Sequence, residues 1–212
     1  MTSAEGGQRE MILQVATRLF AALGYDVTSI GQIADATGLD VATVTESFGG
    51  KRELYLAVMN RVYEIERSSL AEALKIGPAT TPEQTSALMH RIVDHYIDLC
   101  AAYPEVPTLW MHRWLSDAID VTELERRYTQ PLVKLIRDAF APAMSAGHIG
   151  PDVDLDYVMW SLLWCVNGFS QSGTLDQDGN RRRADDPEAL RRLRVHLHRM
   201  IHRAASLPGE FP

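Results

Sequence analysis

Apolar residues recur every three or four positions along most of the chain, which is the period of an amphipathic α-helix. The first such segment, from Arg9 to Leu23, carries six of them on one helical face: Ile12, Val15, Ala16, Leu19, Phe20 and Leu23. The alternation expected of a half-buried strand is nearly absent. The pattern therefore predicts an all-α fold.

Capping residues and glycines divide the first fifty residues into three helices. Gly24 ends the first helix, and Thr28 or Ser29 caps a second helix that runs to Ala36. After a short turn, Asp40 caps a third helix that ends near residue 47. Two short helices close together in the chain are thus expected directly after the first one.

Beyond residue 50 the same signals predict about six more helices. Those with clear bounds are 51–76, 82–102, 187–205 and a strongly apolar helix that follows Asp152 or Asp154 and reaches Phe169. The polar residues 171–186 are expected to form a flexible loop. In total we expect about nine helices, divided into a domain of residues 1–52 and a larger domain of residues 53–212.

Composition narrows the class of protein. With 46% hydrophobic and 23% charged residues, the chain resembles an ordinary soluble globular protein. Cys100 and Cys165 lie in apolar stretches, so we expect packed, reduced thiols and neither a disulfide framework nor a metal cluster. No run reaches the roughly 18 apolar residues of a membrane span, and residues 1–10 lack the apolar core of a signal peptide. We expect a cytoplasmic protein that binds no membrane and needs no metal or other cofactor.

The spacing of Ala34, Gly38 and Val44 predicts a helix-turn-helix. Two short helices can cross steeply only where the residue at their contact is small, and Ala34 is small. Gly38 can adopt the left-handed backbone that the turn requires, and Val44 would point back into a core with Ile33 and Leu39. The second helix of such a pair lies in the major groove of DNA. An ordinary pair of short core helices is the alternative.

This stretch resembles the N-terminal domain of the TetR family of regulators over about 50 residues. The resemblance rests on ATRLFAALGYD followed by TSIGQIADATGLDVATVTESFGGKRELY, with Ile33-Ala34 inside a helix, Gly38-Leu39-Asp40 at the turn, and Lys51 with Leu54 opening a long helix. It implies an N-terminal three-helix DNA-binding domain, followed by a helical domain for effector binding and dimerisation.

The resemblance also implies which residues contact DNA. Thr28, Ser29 and Lys51 would contact phosphates. The residues expected at base edges or the DNA backbone, along the recognition helix and at its end, are Val41, Ala42, Thr43, Thr45, Ser47 and Phe48. Thr45 and Ser47 depart from the family, which often has Tyr at the first position and His or Tyr at the second.

The charge of the chain works against DNA binding. The formal net charge is −7, and residues 1–55 contain seven acidic side chains against four basic ones. Because few cations face the phosphates, we expect a shallow salt dependence and a modest affinity per half-site, raised by dimerisation. The alternative is a protein of this fold that has lost specific DNA binding and binds a small molecule or another protein.

Two C-terminal helices are candidates for a homodimer interface. The last helix has an apolar seam with the spacing of a helical bundle, formed by Leu190, Leu193, Leu197 and Met200. The helix from Tyr157 to Phe169 has no charged residue, so we expect it to be buried on all sides. A dimer would place two recognition helices one helical turn apart on a palindromic site. The alternative is that both helices only close the core of one chain.

Four tryptophans form two i, i+4 pairs and predict an apolar effector pocket with a few polar groups. The residues expected to line it are Trp110, Trp114, Trp160 and Trp164, with His95, Tyr96, Met111, Tyr157 and Asn167. Such a lining favours an aromatic or otherwise hydrophobic effector. A plain aromatic core is the alternative.

Histidines are the remaining candidates for chemistry. His198 and His202 have a metal-compatible spacing, but no carboxylate or thiol completes a set on their face, so we expect solvated surface side chains. His90, Asp94 and His95 share one helix and would have to act in any enzyme of this composition. No catalytic motif supports that reading. The function we expect is therefore a ligand-responsive transcriptional repressor, released from a palindromic operator by a small effector, and not an enzyme.

Overall fold

The computed structural model describes residues 3–209, which are mainly helical, as the periodicity predicts. The termini of the two predicted domains, residues 1–2 and 210–212, lie outside the described residues. The described helices are α1 Ser3–Leu23, α2 Ile30–Thr37, α3 Val41–Phe48, α4 Lys51–Ala73, α5 Pro82–Ala102, α6 Glu105–Trp114, α7 Gln130–Ser145, α8 Leu155–Ser172 and α9 Pro187–Ala204. A short hairpin of β1 Thr174–Leu175 and β2 Arg181–Arg182 precedes α9.

Local hydrogen bonds fix the starts of α2 and α3, which form the helix-turn-helix. The backbone N–H of Gln32 donates to Ser29 Oγ (3.1 Å), and the N–H of Ser29 donates to Gln32 Oε1 (2.7 Å), which is a capping box. The N–H of Thr43 donates to Asp40 Oδ1 (2.7 Å). Gly38, between the two helices, has a φ of +71°, which confirms the left-handed turn.

One apolar core joins α1, α2, α3 and the start of α4. Ile33, Ala34 and Val44, which predicted the crossing of the two short helices, are almost completely buried. Phe20 of α1 packs edge-on against Tyr55 of α4, with ring centroids 5.1 Å apart. The spacing in the sequence thus reflects packing around one small core.

Helices α4 to α9 form the larger part of the molecule. Helix α5 contacts α4, α8 and α9, and α6 contacts both α1 and α8. The predicted domain boundary after residue 52 falls in the first turn of α4, which continues without interruption into the larger part. No described helix has both the length and the apolar character needed to cross a membrane.

A loop after α6 ties the two parts together. The carboxylate of Asp117 accepts hydrogen bonds from the backbone N–H groups of Tyr25 (2.6 Å) and Asp26 (2.9 Å). Gly24, with a φ of +81°, passes so close that an added Cβ would lie 3.2 Å from this carboxylate. Asp117 therefore holds the loop between α1 and α2 against the larger part.

Two predicted helix bounds differ from the structure. Helix α1 begins at Ser3 and not near Arg9, because extending an existing helix through polar residues costs little compared with nucleating it. Helix α4 ends at Ala73, and Leu74–Ile76 tighten into a 3₁₀ turn ahead of Gly77. Neither difference moves a predicted site residue.

The prediction of a flexible loop over residues 171–186 is wrong in part. Helix α8 continues to Ser172, and β1 pairs with β2 in antiparallel register. Asp176 closes the turn, since its Oδ1 accepts from the backbone N–H groups of Asp178 (3.0 Å) and Asn180 (2.8 Å). The Asp-Gly step in DQDGN is a hairpin signal, but the polar residues around it masked the strands.

Candidate DNA-binding surface and effector cavity

Helix α3 presents one face to solvent and one to the core. Val41 is 51% exposed, and Ala42 and Thr45 are exposed, whereas Val44 is completely buried. The hydroxyl of Thr45 donates to the carbonyl of Val41 (2.8 Å), so its hydrogen is used within the helix. The exposed face therefore offers methyl groups, which suit contact with thymine methyl groups, and one charged side chain, the exposed Glu46.

The other predicted contacts lie at the start and at the end of α3. Thr43 is partly buried in the capped first turn. The hydroxyl of Ser47, near the end, donates to the carbonyl of Thr43 (2.9 Å). Phe48 is partly buried, and the guanidinium of Arg9 stacks 3.9 Å from the centroid of its ring. Arg9 also donates to the carbonyl of Ser47. The sequence did not point to Arg9, which lies 38 residues before Ser47 and joins it only through the packing of α1 on α3.

The structure excludes one of the predicted phosphate contacts, Thr28, and gives a second, Lys51, contacts within the chain. Thr28 is 1% exposed, and its hydroxyl donates to the carbonyl of Gly24 (2.7 Å), so its side chain is part of the core and cannot contact phosphate. The ammonium of Lys51 donates to the carbonyl of Asp26 (3.1 Å) and lies 4.4 Å from the ring centroid of Tyr25. The ammonium of Lys51 keeps two further N–H donors, so its contact with phosphate stays a prediction.

Ser29 is exposed at the start of α2, with its hydroxyl oxygen accepting from the capping N–H of Gln32. An exposed helix start leaves backbone N–H groups available to an anion. Of the three predicted phosphate contacts, Ser29 and Lys51 therefore stay predictions, whereas the side chain of Thr28 is excluded by its burial.

An apolar cavity lies among helices α4 to α8. Its empty volume is about 1020 Å³ when the open mouth is included. Concave apolar sites with a few polar groups are typical of small-molecule binding. Five of the nine residues predicted to form an effector pocket line it: His95, Tyr96, Trp110, Trp114 and Trp160. Most of the remaining wall is apolar, including Leu70, Ile92, Leu99, Leu132, Val133, Ile136, Met159 and Leu163.

Four of the nine predicted pocket residues do not line the cavity. Tyr157 and Trp164 are 65% and 50% exposed on the outer face of α8, and Met111 is partly buried on α6. Asn167 is buried behind the wall, where its Oδ1 accepts from the hydroxyl of Tyr96 (2.8 Å). Pairs four residues apart share one helix face, but that pattern does not say which face turns inward.

The structure adds an acidic residue that the sequence analysis did not single out. Glu66 of α4 lines the cavity, and its Oε2 accepts a hydrogen bond from the indole N–H of Trp110 (3.2 Å). Burial raises the pKa of this carboxyl group to about 7. A signal was present in the sequence, because Glu66 falls on the same helix face as Val62 and Leu70.

The expectation of solvated surface histidines at the C-terminus is wrong. His202 is 8% exposed and its Nδ1 lies 3.1 Å from Nε2 of His90, while His198 Nδ1 lies 2.7 Å from Nδ1 of His90. His198 Nε2 also lies 2.8 Å from a carboxylate oxygen of Asp94. Packing of α9 on α5 brings these groups together over about 100 residues of chain. No group of three or more potential ligands in the described residues could hold a metal ion.

The seam predicted to form the dimer interface faces the chain's own core. Leu197 is completely buried within one chain, so it cannot contact a partner. Leu190, Leu193 and Met200 are partly buried and pack against the same core. Closure of one chain's core therefore describes Leu197, whereas contact of the partly buried Leu190, Leu193 and Met200 with a partner chain stays a prediction.

Helix α8 is not buried on all sides within a single chain, so its complete burial stays a prediction that needs a partner chain. Tyr157 is 65% exposed and Trp164 is 50% exposed. The two residues are seven positions apart and therefore lie on one helical face. Cys165 is exposed beside them. The uncharged sequence of α8 thus leaves an apolar strip uncovered in a single chain.

Comparison with known proteins points to one family. Residues 12–58 match the family "Bacterial regulatory proteins, tetR family". Over 71 residues the chain is 35% identical to the HTH-type transcriptional regulator LmrA of Bacillus subtilis (strain 168), a match that covers 33% of this chain and only 38% of that protein. The family match therefore lies in the N-terminal part of the chain.

Solved structures extend the similarity to the whole chain. A TetR family transcription regulator from Marinobacter aquaeolei VT8 is similar with a TM-score of 0.65 and 19% identity, over 92% of this chain and 97% of that one. The ketosteroid transcriptional regulator KstR2 of Mycobacterium tuberculosis is similar with a TM-score of 0.64 and 15% identity, over 99% of this chain and 97% of that one. At these identities the likeness shows a common fold.

Proposed function

We infer that this chain, which belongs to the TetR family of bacterial regulatory proteins through its N-terminal domain and its fold, is a sequence-specific DNA-binding regulator and not an enzyme. The observation that carries the proposal is the exposed, nearly uncharged face of α3, held by a capped helix-turn-helix whose core is fully packed. Such a helix can enter the major groove with Val41, Ala42 and Thr45 against the base edges. We propose that it acts in the cytoplasm, where the DNA of a bacterium lies.

The low positive charge of the N-terminal part limits the strength of this binding. Arg9, held at the end of α3, is one of the few cations available to neutralise phosphate. We therefore expect specificity to come from base contacts and from two recognition helices acting together, with a salt dependence much shallower than that of strongly basic regulators.

The test uses one substitution at two exposed alanines. Ala42→Glu places a charge on the proposed DNA-binding face of α3, and the matched control, Ala87→Glu, places the same charge on an exposed position of α5. DNA is first selected from a random pool by the wild-type protein, and binding is then measured by fluorescence anisotropy. We expect Ala42→Glu to weaken binding at least about tenfold, because a carboxylate would face phosphates, and Ala87→Glu to leave it unchanged. Equal effects of the two changes would overturn the proposal.

Failure to select any DNA would favour the alternative, a protein of this fold that binds only small molecules or another protein. The excess of acidic residues in the N-terminal part is the observation behind that alternative. The protein would then bind ligands in its cavity without any effect on DNA.

We propose that a homodimer forms through the outer face of α8. Tyr157 and Trp164 are large side chains that are exposed in a single chain. In a symmetric dimer, the outer face of α8 in each copy would cover the same face of the other copy. Trp164→Glu should shift the protein from dimer to monomer in sedimentation and weaken DNA binding. Leu135→Glu on exposed α7 is the matched control and should leave the dimer intact. A dimer that survives Trp164→Glu would place the interface elsewhere.

The effector would act through the cavity and the elements that connect it to α3. Helix α4 contributes Glu66 and Leu70 to the cavity wall and begins directly after α3. Helix α6 contributes Trp110 and Trp114, and the loop that follows it carries Asp117, which holds the loop between α1 and α2. A ligand that binds one arrangement of these helices better than another changes the spacing of the two recognition helices. We propose that it releases the DNA, as a repressor requires.

A further inference from the structure

Glu66 is an acidic side chain in a cavity wall that is mostly apolar. The other side chains that α4 contributes to this wall are Ser69, Leu70 and Ala73, none of which is charged. A carboxylate taken out of water costs several kcal/mol unless a cation or hydrogen bonds replace the lost solvent. The structure gives Glu66 one such bond, from the indole of Trp110.

Nearby polar groups do not neutralise this carboxylate. Among the described residues no ion pair involves Glu66. Two basic side chains, His95 and Arg137, also line the cavity, and Arg137 is bound by both carboxylate oxygens of Asp156. The hydroxyl of Tyr96 donates to Asn167, and the hydroxyl of Ser69 donates to the carbonyl of His95. The protein therefore leaves one oxygen of Glu66 without a described partner beside an apolar space.

The geometry points to a ligand that brings its own positive charge. We propose that the cavity selects apolar molecules carrying one protonated amine, with Glu66 as the group that binds the ammonium and the tryptophan and aliphatic side chains as the surface for the apolar part. This proposal rests on the cavity being the effector site of the proposed function. A carboxylate ligand such as a fatty acid would instead be repelled by Glu66, and a neutral alcohol would gain one hydrogen bond without the charge.

Aromatic side chains around the cavity support the same choice. Trp114 and Trp160 meet edge to face with ring centroids 5.8 Å apart. The indole N–H of Trp110 donates a hydrogen bond to the carboxylate of Glu66. Aromatic faces attract cations, so the wall near Glu66 favours an ammonium beyond the effect of the carboxylate itself. The hydrogen bond from Trp110 acts in the same direction, because it stabilises the ionised form of Glu66.

Proton linkage gives the proposal a distinctive signature. The pKa of Glu66 is about 7 in the empty protein, so the group is mostly protonated at pH 6 and mostly ionised at pH 8. An alkylamine stays protonated over this range. Binding of the cation should therefore tighten by up to about tenfold from pH 6 to pH 8 and should release protons from the protein.

The experiment compares three probes with one carbon skeleton: 4-phenylbutylamine, 4-phenylbutan-1-ol and 4-phenylbutanoate. Calorimetric titration of the full-length protein at pH 6 and pH 8 is expected to give the amine at least about tenfold tighter than the acid at pH 8. Glu66→Gln should abolish this preference and the pH dependence. Glu72→Gln, the same change at an exposed position of α4, should leave both unchanged.

One further variant keeps the result unambiguous. Glu66→Asp retains the charge and should keep the preference for the amine even where it binds less tightly, which a merely structural role of Glu66 would not produce. Equal affinities for the three probes, or amine binding that survives Glu66→Gln, would overturn the proposal. Because calorimetry needs no DNA, selective amine binding without release of DNA would count against the proposed regulatory function and leave the ligand assignment intact.

Discussion

Helix α5 separates two groups of buried or partly buried polar side chains that differ in how many partners the protein gives them. On the side of α9, His90 contacts both His198 and His202, and His198 in turn contacts Asp94. On the side of the cavity, Glu66 accepts one hydrogen bond, from Trp110. The first group is a network that the chain completes by itself, whereas the second leaves an acceptor beside an apolar space.

The difference separates a structural network from a binding group. Buried polar groups are tolerated when other groups of the protein replace the hydrogen bonds of water. In the histidine network α9 supplies those groups, so the network holds α5 and α9 together. At Glu66 the replacement is incomplete, which costs stability in the empty protein and becomes favourable only when a ligand supplies the missing partner.

The largest expected effect is the pH dependence that Glu66 imposes on stability. Its pKa is about 7 in the folded chain against 4.5 as the ordinary value, so the folded state holds this proton more tightly than the unfolded state does. The resulting stabilisation is complete below pH 4.5 and is lost as the pH rises through 7, by about 3 kcal/mol. Urea unfolding at pH 5 and pH 8 should show this loss in the wild type and not in Glu66→Gln.

The exposed control on the same helix is Glu64→Gln, which removes a carboxylate that pairs with Arg67 at the surface. It should leave the pH dependence of the wild type unchanged. Equal slopes for the wild type and Glu66→Gln would mean that the cavity solvates the carboxylate well, and the contrast between the two sides of α5 would disappear.

A second, smaller effect has the opposite sign on the other side of α5. Burial and the neighbouring His198 and His202 lower the pKa of His90 to about 4 from 6.5, while Asp94 acts against them. The folded state therefore binds this proton more weakly than the unfolded state. The stabilisation is present above pH 6.5 and is lost as the pH falls through 4, by roughly 2 kcal/mol once residual solvent access is allowed for.

His90→Phe tests this expectation, because it keeps a planar ring and removes the titration. The variant should be less stable at every pH through the lost hydrogen bonds, but its acid-side loss between pH 6.5 and pH 4 should be smaller than in the wild type. His196→Gln, at an exposed position of α9, is the control and should follow the wild type. An unchanged acid-side loss in His90→Phe would show that the network is already protonated in the folded state.

The sequence was sufficient for the N-terminal helices because their signals are local. Ser29, Asp40 and Gly38 each act on groups within four residues, so caps and turn could be placed from spacing. The buried side chain of Thr28 was the exception, since only the packed core shows that its hydroxyl turns inward.

The cavity and the histidine network could be predicted only in part. Glu66 and Trp110 are 44 residues apart, and His90 and His202 are 112 apart, so each contact depends on how two distant helices are rotated against each other. Periodicity gives the apolar face of a helix but not what covers it, which is why the seam containing Leu197 was assigned to a partner chain.

The smallest expected effect concerns the one hydrogen bond that Glu66 has. Trp110→Phe keeps an aromatic ring in the wall and removes the indole N–H that favours the ionised carboxylate. The pKa of Glu66 should then rise further, and the pH at which stability is lost should move upward by up to about one pH unit, equivalent to about 1 kcal/mol. Trp114→Phe alters the packing of the same cavity without touching this bond, so it should change stability equally at pH 5 and pH 8. If the pH at which stability is lost moves in both variants, or in neither, the indole positions the side chain of Glu66 only by contact. The two sides of α5 would then differ in packing and not in hydrogen bonding.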